Sequence, residues 1–475
     1  MPKTFIDLFA GIGGFHWALK ELDYKCLLAV EKDEAAKEIY SWNFPEKEDD
    51  LKVRENGPTI SNRVIGDIRS LTRPLADGKK EYRASTIAKQ LKEEFNIMVG
   101  DVGIICGGFP CQPFSKSGVQ KGSRDETRGT LFRDILLLTK ALEPHFLILE
   151  NVRNLAGPKH KETLKVIIRR IKKLGYEIEP EPIVLSPHDL PEELGSPQVR
   201  DRVFILARKK GIRDGCHPKK VSEAVNKLKE HTRPRWDAGK ILDQNAAEDY
   251  RLNEAEMHWI NLWEAFLHIV EGMRIPGAPI WIDAFPGDQT EQKINRKDEP
   301  MPDWEERFRK INLDFYNDIC SQPERKRKLE KWLKAIRKNK PTPKGGIEYV
   351  IPASRRKFEW QANLAFPKNT GRTLKGLLIQ FRPSGIRVKP ATHYPALVAI
   401  TQTTIIGPMV DSKLDSRHYR YITPKEAARL QGMDAIDFKK QPDPLCYKQL
   451  GNAVNVKVIK YLAERLMGEA LPGKS

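Results

Sequence analysis

The sequence predicts an α/β protein: a mostly parallel sheet with helices on both faces, joined to a second, smaller α+β domain. Three observations predict it. From Phe5 to about Ala207, short apolar runs alternate with amphipathic stretches, the pattern of repeated strand–helix units. Several of those runs end in Gly, Asp or Glu, at the sheet edge where open α/β folds bind their ligands. After Arg208 the character changes, with Trp236, Trp259, Trp263, Trp281, Trp304, Trp332 and Trp360 scattered among many Lys, Arg and Pro. The expected division is a first domain of residues 1–209 and 447–475 and a second of residues 210–446, its variable part about 210–416.

In chain order, strands are expected at Thr4–Phe9, Leu27–Glu31, Arg63–Ile68, Val102–Cys106, Phe146–Glu150 and Val203–Ala207. Helices lie between them, and the 3.6-residue spacing is clearest in Leu131–Leu142 and Thr163–Lys173. Pro45–Asn62 and Leu71–Arg83 read as surface insertions. In the second domain, Arg325-Lys326-Arg327-Lys328 opens a basic helical pattern that continues through Lys331, Lys334, Arg337 and Lys338. Thr423 to Met467 returns to helix signals, with Pro424 in a first turn and Val454–Leu466 amphipathic.

Composition bounds the function. The 475 residues are 40% apolar and 31% charged, enough for a folded core. No apolar run reaches ~18 residues and the N-terminus enters a strand at once, so neither a membrane span nor export is expected. Cys26, Cys106, Cys111, Cys216, Cys320 and Cys446 lack paired spacing, which argues against disulfides and a metal site and for a reducing compartment. Lys and Arg number 82 against 64 Asp and Glu, a net +18 that suits a polyanion such as nucleic acid.

At the first strand–helix junction, Asp7-Leu8-Phe9-Ala10-Gly11-Ile12-Gly13-Gly14 supplies a tight glycine turn, with His16 where a dinucleotide fingerprint wants glycine. Glu31 ends the second strand twenty positions after Gly11, and Asp67 ends the third. With Asp7, these carboxylates suit a positively charged nucleoside such as S-adenosylmethionine better than a pyrophosphate. The fourth strand runs into Gly107-Gly108-Phe109-Pro110-Cys111-Gln112-Pro113-Phe114-Ser115, which presents Cys111 as a candidate nucleophile at the ligand edge. Cys106, inside the strand, reads instead as a small buried hydrophobe. Glu150 follows four apolar residues, so desolvation should raise its pKa. Arg200 and Arg202 alternate toward one side, one for substrate and the other for structure.

Together these pieces resemble the C5-cytosine DNA methyltransferase family. The resemblance covers roughly residues 3–208 and 420–466. It rests on the Asp-Leu-Phe-Ala-Gly turn, Pro110-Cys111-Gln112, Glu150-Asn151-Val152, Gln198/Arg200/Arg202, Arg429-Leu430-Gln431-Gly432 and Gly451-Asn452-Ala453-Val454, all in the family's order. It implies a Rossmann-like methyltransferase sheet with S-adenosyl-L-methionine as cofactor. Phe9 would stack on adenine, Glu31 hold the ribose, and Asp67 and Ile68 contact adenine beside the Gly11/Gly13/Gly14 turn, with Leu131 and Asn452 completing the pocket. It also implies that Cys111 adds to C6 of a flipped cytosine, Glu150 serves N3, Arg202 holds O2, and Arg200 and Gln198 support it. Gln112–Gly129, including Ser115, would close as a lid.

The partner so implied is double-stranded DNA, read by a target-recognition domain whose Gln380–Arg387 stretch offers Arg382 and Arg387 to base edges. The family usually has Thr-Leu late in this region; here the chain reads Tyr394-Pro395-Ala396-Leu397, so either Ala396 takes that place or Thr401, Thr403 or Thr404 does in a shifted register. A cytoplasmic, nucleoid-associated bacterial or archaeal monomer paired with a cognate restriction endonuclease is expected. The alternatives are a tRNA cytosine methyltransferase of related fold and a catalytically inactive DNA-binding regulator.

Overall fold

The computed structural model describes residues 1–45, 64–73, 82–110, 131–230, 236–243, 248–286, 301–337, 351–363, 371–398, 404–415 and 417–468. Cys111, Gln112, Ser115 and Thr403 lie outside them, as does most of both expected insertions.

The chain forms two compact units: Met1–Trp236 with Pro395–Ala399 and Ala427–Ser475, and Asp237–Tyr394 with Ile400–Glu426. These limits differ from the expected segments. Helix Pro218–Glu230 buries Val221 and Val225 and packs on the first sheet, so the first unit continues past the change in composition at Lys209.

The first unit is built on β1 (Thr4–Leu8), β2 (Lys25–Val30), β3 (Val64–Ile65), β4 (Ile104–Gly108), β5 (Phe146–Val152), β6 (Tyr176–Ile178) and β7 (Ile183–Leu185). Gln198–Val199 forms β8 and Arg202–Lys209 forms β9. The order is β3-β2-β1-β4-β5-β9-β6, with β7 also on β9. Pairing is parallel from β3 to β5 and antiparallel for β9 with β5, β6 and β7. The central strands are buried on both faces, Phe146–Leu149 at 0% exposure, which is why they read as continuous apolar runs rather than alternating ones.

Helices cover the sheet. Among them are α1 (Gly14–Lys20), α2 (Glu34–Asn43), α3 (Arg69–Thr72), α4 (Ala84–Phe95), α5 (Leu131–Leu142) and α6 (Lys161–Lys173). Asp33 caps α2 by accepting from the Ala36 N–H at 3.0 Å. Near the C-terminus, the side chains of Ser196 and Asn455 both donate to the Leu430 carbonyl and Gln431 donates to Leu450, which ties the Arg429 motif to the Gly451 turn.

The second unit has a sheet in the order β10 (Ile280–Trp281), β11 (Lys357–Trp360), β13 (Gly385–Pro390), β12 (Leu377–Arg382), β15 (Ile405–Ile406) and β16 (Arg420–Tyr421), where β14 is Tyr394–Pro395. One sheet face buries Phe358, Trp360, Ile379, Phe381, Ile386 and Val388 in a core shared with helices Glu254–Ile269, Asp303–Cys320 and Pro323–Arg337. Trp263 stacks on Phe358 with ring centroids 4.4 Å apart. Trp236, Trp263, Trp332 and Trp360 are buried, as core packing requires, whereas Trp304 stays half exposed. The basic pattern forms the helix Pro323–Arg337, which buries Leu329, Trp332, Leu333 and Ile336 and leaves Lys328, Lys331 and Lys334 exposed. No helix among the described residues is long and apolar enough to cross a membrane.

Candidate active site

The carboxyl ends of the parallel strands open into a cleft of about 690 Å3. This is the edge where an open α/β sheet binds ligands, and the volume lies within the ~300–1,000 Å3 usual for small-molecule sites. Phe9, Gly11, Glu31, Asp67, Ile68, Leu131 and Asn452 all line it. Gly13 and Gly14 do not. A Cβ on Gly13 would sit 2.3 Å from the Phe44 ring and one on Gly14 would sit 2.5 Å from Val454, so packing of the turn, rather than ligand approach, demands those glycines. Gly11 has φ +56 with open space over its Cβ position, as a ligand-facing residue should.

Glu31 is held by the backbone: its Oε2 accepts from the Gly11 N–H and its Oε1 from the Asp33 N–H, each at 2.7 Å. Those bonds fix the carboxylate between two strand ends and leave it further lone pairs for a ligand. Asp67 accepts from the Arg69 N–H at 2.9 Å and from its Nε at 3.0 Å, and the guanidinium holds this carboxyl below the usual range. Asp7 corrects the expectation of a third ligand-facing acid. It is wholly buried within β1, and burial, followed by the neighbouring Glu31, pushes its pKa well up. Cys106 lies buried beside it, its thiol directed to the Ile6 carbonyl at 3.4 Å, as a packed strand cysteine.

Glu150 sits near the end of β5 and lines the same cleft. Burial raises its pKa, opposed by Arg202 and then Arg200. The Arg202 Nε lies 3.0 Å from its Oε1. Next to it, Asn151 donates to the Phe109 carbonyl at 2.8 Å and so ties β5 to the segment that leads through Pro110 toward Cys111. Sequence reasoning missed this role of Asn151, although its place inside a motif at a strand end is a usable signal.

The two arginines make different contacts. Arg200 is buried and donates to the Leu397 carbonyl at 3.0 Å and to the Gly451 and Ala453 carbonyls at 2.8 and 2.7 Å. Burial and the neighbouring Arg202 depress its pKa, though a guanidinium stays charged at neutral pH. Expected in support of Arg202, it clamps the end of the helix Asp443–Asn452 and the Leu397 segment. Leu397 follows Ala396 in the stretch that departs from the family's Thr-Leu pattern. Gln198, also expected in support of Arg202, is wholly buried, and neither polar atom of its side chain has a partner among the described residues. Thr404 is also buried.

Arg382 and Arg387 fall on the β12–β13 hairpin of the second unit, both partly exposed and both facing Glu359. Sequence reasoning missed that carboxylate, as well as Arg69, Gln449 and Gly451, which line the first unit's cleft.

Comparisons with known proteins agree with this geometry. Residues 3–67 and 79–468 match the family described as C-5 cytosine-specific DNA methylase. The type II methyltransferase M.AluI of Cellulosimicrobium cellulans is 33% identical over 97% of this chain and 91% of its own. The type II methyltransferase M.BanI of Aneurinibacillus aneurinilyticus is 27% identical over 98% of this chain and 96% of its own. M.HhaI of Haemophilus parahaemolyticus is 34% identical over 42% of this chain and 48% of its own. A match across nearly the whole length, on a mostly parallel sheet with a cleft at its carboxyl edge, places this chain in the C-5 cytosine-specific DNA methylase family, as a DNA (cytosine-5)-methyltransferase.

Proposed function

We propose that the chain methylates a flipped cytosine within a specific duplex DNA site, with S-adenosylmethionine as donor, Cys111 as nucleophile and Glu150 and Arg202 as the groups that hold the ring. The observation that carries this reading is Glu150: a carboxyl whose pKa is raised by burial, 3.0 Å from a guanidinium, at the mouth of a strand-end cleft.

Such a cofactor fits the residues present. The cleft combines apolar Phe9, Val30, Ile68 and Leu131 with Glu31 and Asp67, suiting an adenine, a ribose and a positive charge. Bound there, S-adenosylmethionine would supply an electrophilic methyl group. Glu31 would accept from ribose hydroxyls while remaining fixed by Gly11 and Asp33.

The rest falls to the chain's own groups. C5 of cytosine is a weak nucleophile, so the Cys111 thiolate adds to C6, forming an S–C6 bond and moving the C5–C6 π pair into the ring. Charge builds toward N3 and O2, where protonated Glu150 donates to N3 and Arg202 to O2. After methyl transfer N3 gives its proton back to Glu150 and a base removes the C5 proton; that electron pair restores the C5–C6 double bond and expels Cys111 as thiolate. Inside stacked duplex neither C6 face is accessible, so the cytosine must leave the helix, and by the family resemblance Gln112–Gly129, with Ser115, would close over it.

Asp237–Tyr394 with Ile400–Glu426 would choose the site, with Arg382, Arg387 and either Thr401 or Thr403 at the bases. Gln198, being buried, would act from behind Arg200 and Arg202. We further read the protein as a cytoplasmic, nucleoid-associated monomer paired with a cognate endonuclease. Labelled methyl transfer from S-adenosylmethionine to duplex DNA, with bisulfite sequencing of the product, tests the assignment. Label confined to cytosine C5 at one recurring sequence is expected; no transfer to DNA would contradict it.

A further inference from the structure

The polar face of the second unit's sheet carries an acid that the catalytic chemistry does not use. Strand register sets Glu359 of β11 beside Arg387 of β13, and Arg387 beside Gln380 of β12, so the three form one row across the sheet. Arg382 lies along the same hairpin, opposite Gly385. Glu359 Oε2 accepts from the Arg387 Nε at 2.8 Å and lies 3.8 Å from an Arg382 Nη. Lys389 completes the cluster, its pKa lowered by burial and by Arg387. Three cations therefore surround one carboxylate, and the face keeps a positive balance.

The geometry of the Arg387 contact is specific. Glu359 takes the Nε edge, and among the described residues neither Nη of Arg387 has a hydrogen-bond partner. Guanine O6 and N7 are recognised by a paired donor edge, and a two-stranded β-ribbon fits the major groove. An unsupported arginine on a sheet face would sample many rotamers and meet phosphates as readily as bases. A carboxylate at Nε fixes the plane of the fork and, being anionic, disfavours a phosphate at that spot.

We propose that Glu359 is a positioning residue for target recognition, holding Arg387 by its Nε so that its two Nη groups read a guanine while Gln380 reads the neighbouring base pair. This rests on the reading that Arg387 meets base edges.

The test uses the full-length enzyme. The target duplex carries the sequence that wild type methylates on a plasmid, found by bisulfite sequencing, and the control duplex is scrambled. Binding is measured at several salt concentrations for wild type, Glu359→Gln, Arg387→Ala and the double variant. Glu359→Gln should lower the target-to-scrambled affinity ratio about tenfold, within the range of one base contact. Its affinity for scrambled duplex should hold or rise, and KM on the target should rise more than kcat falls. The double variant should match Arg387→Ala, because Glu359 acts through that side chain. An unchanged ratio in Glu359→Gln with a reduced one in Arg387→Ala would overturn this proposal alone. An unchanged ratio in Arg387→Ala would overturn the base-reading assignment beneath it. Equal losses from Glu359→Gln with and without Arg387 would show that Glu359 acts independently.

Discussion

Glu150 in the first unit and Glu359 in the second each face two guanidiniums. Glu150 lies 3.0 Å from Arg202 with Arg200 behind; Glu359 lies 2.8 Å from Arg387 and 3.8 Å from Arg382. Their surroundings differ. Glu150 ends an apolar strand buried on both faces, where desolvation outweighs both arginines and favours the protonated acid. Glu359 stands beside Arg387 on the face turned away from the main core, its side chain 19% exposed, where a carboxylate can serve as a counter-ion. On the proposed roles, the same two residue types would act as a proton donor in one place and a buttress in the other, with the depth of the strand deciding which.

Substitutions can break that contrast. The largest effect should come from Glu150→Gln, which keeps shape but loses the acid: kcat should fall about 10²–10⁴-fold with DNA affinity nearly intact. A parallel loss of DNA binding would mean Glu150 is also a ground-state contact. Glu31→Ala should weaken S-adenosylmethionine binding by about 1.5–3 kcal/mol, since its hydrogen bonds exist before reaction. Calorimetry showing Glu150→Gln equally damaging to cofactor affinity would erase the distinction between pocket and reacting edge. In the second unit, Arg387→Ala should relax discrimination at one base pair by ~1–3 kcal/mol. Loss of Lys328, Lys331 and Lys334 together should instead weaken all sequences alike and flatten the salt dependence by ~0.9 per phosphate contact removed.

Asp7 sharpens the lesson about burial. Its pKa is raised in the folded state, so the native protein keeps a proton that the unfolded chain releases. Stability from this group is therefore lost as pH rises above the ordinary aspartate value of 3.8 toward the folded one. Asp7→Asn should gain on wild type across that window, by at most about 1.4 kcal/mol per pH unit. Denaturation curves with the same pH slope in both proteins would count against a protonated Asp7.

Much of the first unit is legible because its chemistry is local. Apolar runs leading to Glu31, Gly108 and Glu150 mark strands whose ends line the cleft, and the observed β2, β4 and β5 overlap the expected spans. The direction of β9 was not legible: Val203–Ala207 is as apolar as a parallel strand, and only tertiary pairing with β5 makes it antiparallel. The three-residue strands β6 and β7 are too short to carry a period. Arg200 shows the other limit, since its carbonyl partners at Leu397, Gly451 and Ala453 lie about 200 or more residues away in sequence. In the second unit Glu359 went unnoticed because a lone acid among Lys, Arg and Trp has no local signature; strand register alone brings it to Arg387.

Covalent attack by Cys111 on a cytosine held by Glu150 and Arg202 is the central step of the proposed mechanism. Duplex DNA with 5-fluorocytosine at the methylated position cannot lose its C5 substituent, so the adduct should persist. Wild type with S-adenosylmethionine should give a denaturation-resistant protein–DNA band, Cys111→Ala none, and Glu150→Gln one that forms far more slowly. Normal turnover on ordinary DNA with no adduct on the fluorinated duplex would contradict the mechanism, as would an adduct that survives loss of Cys111.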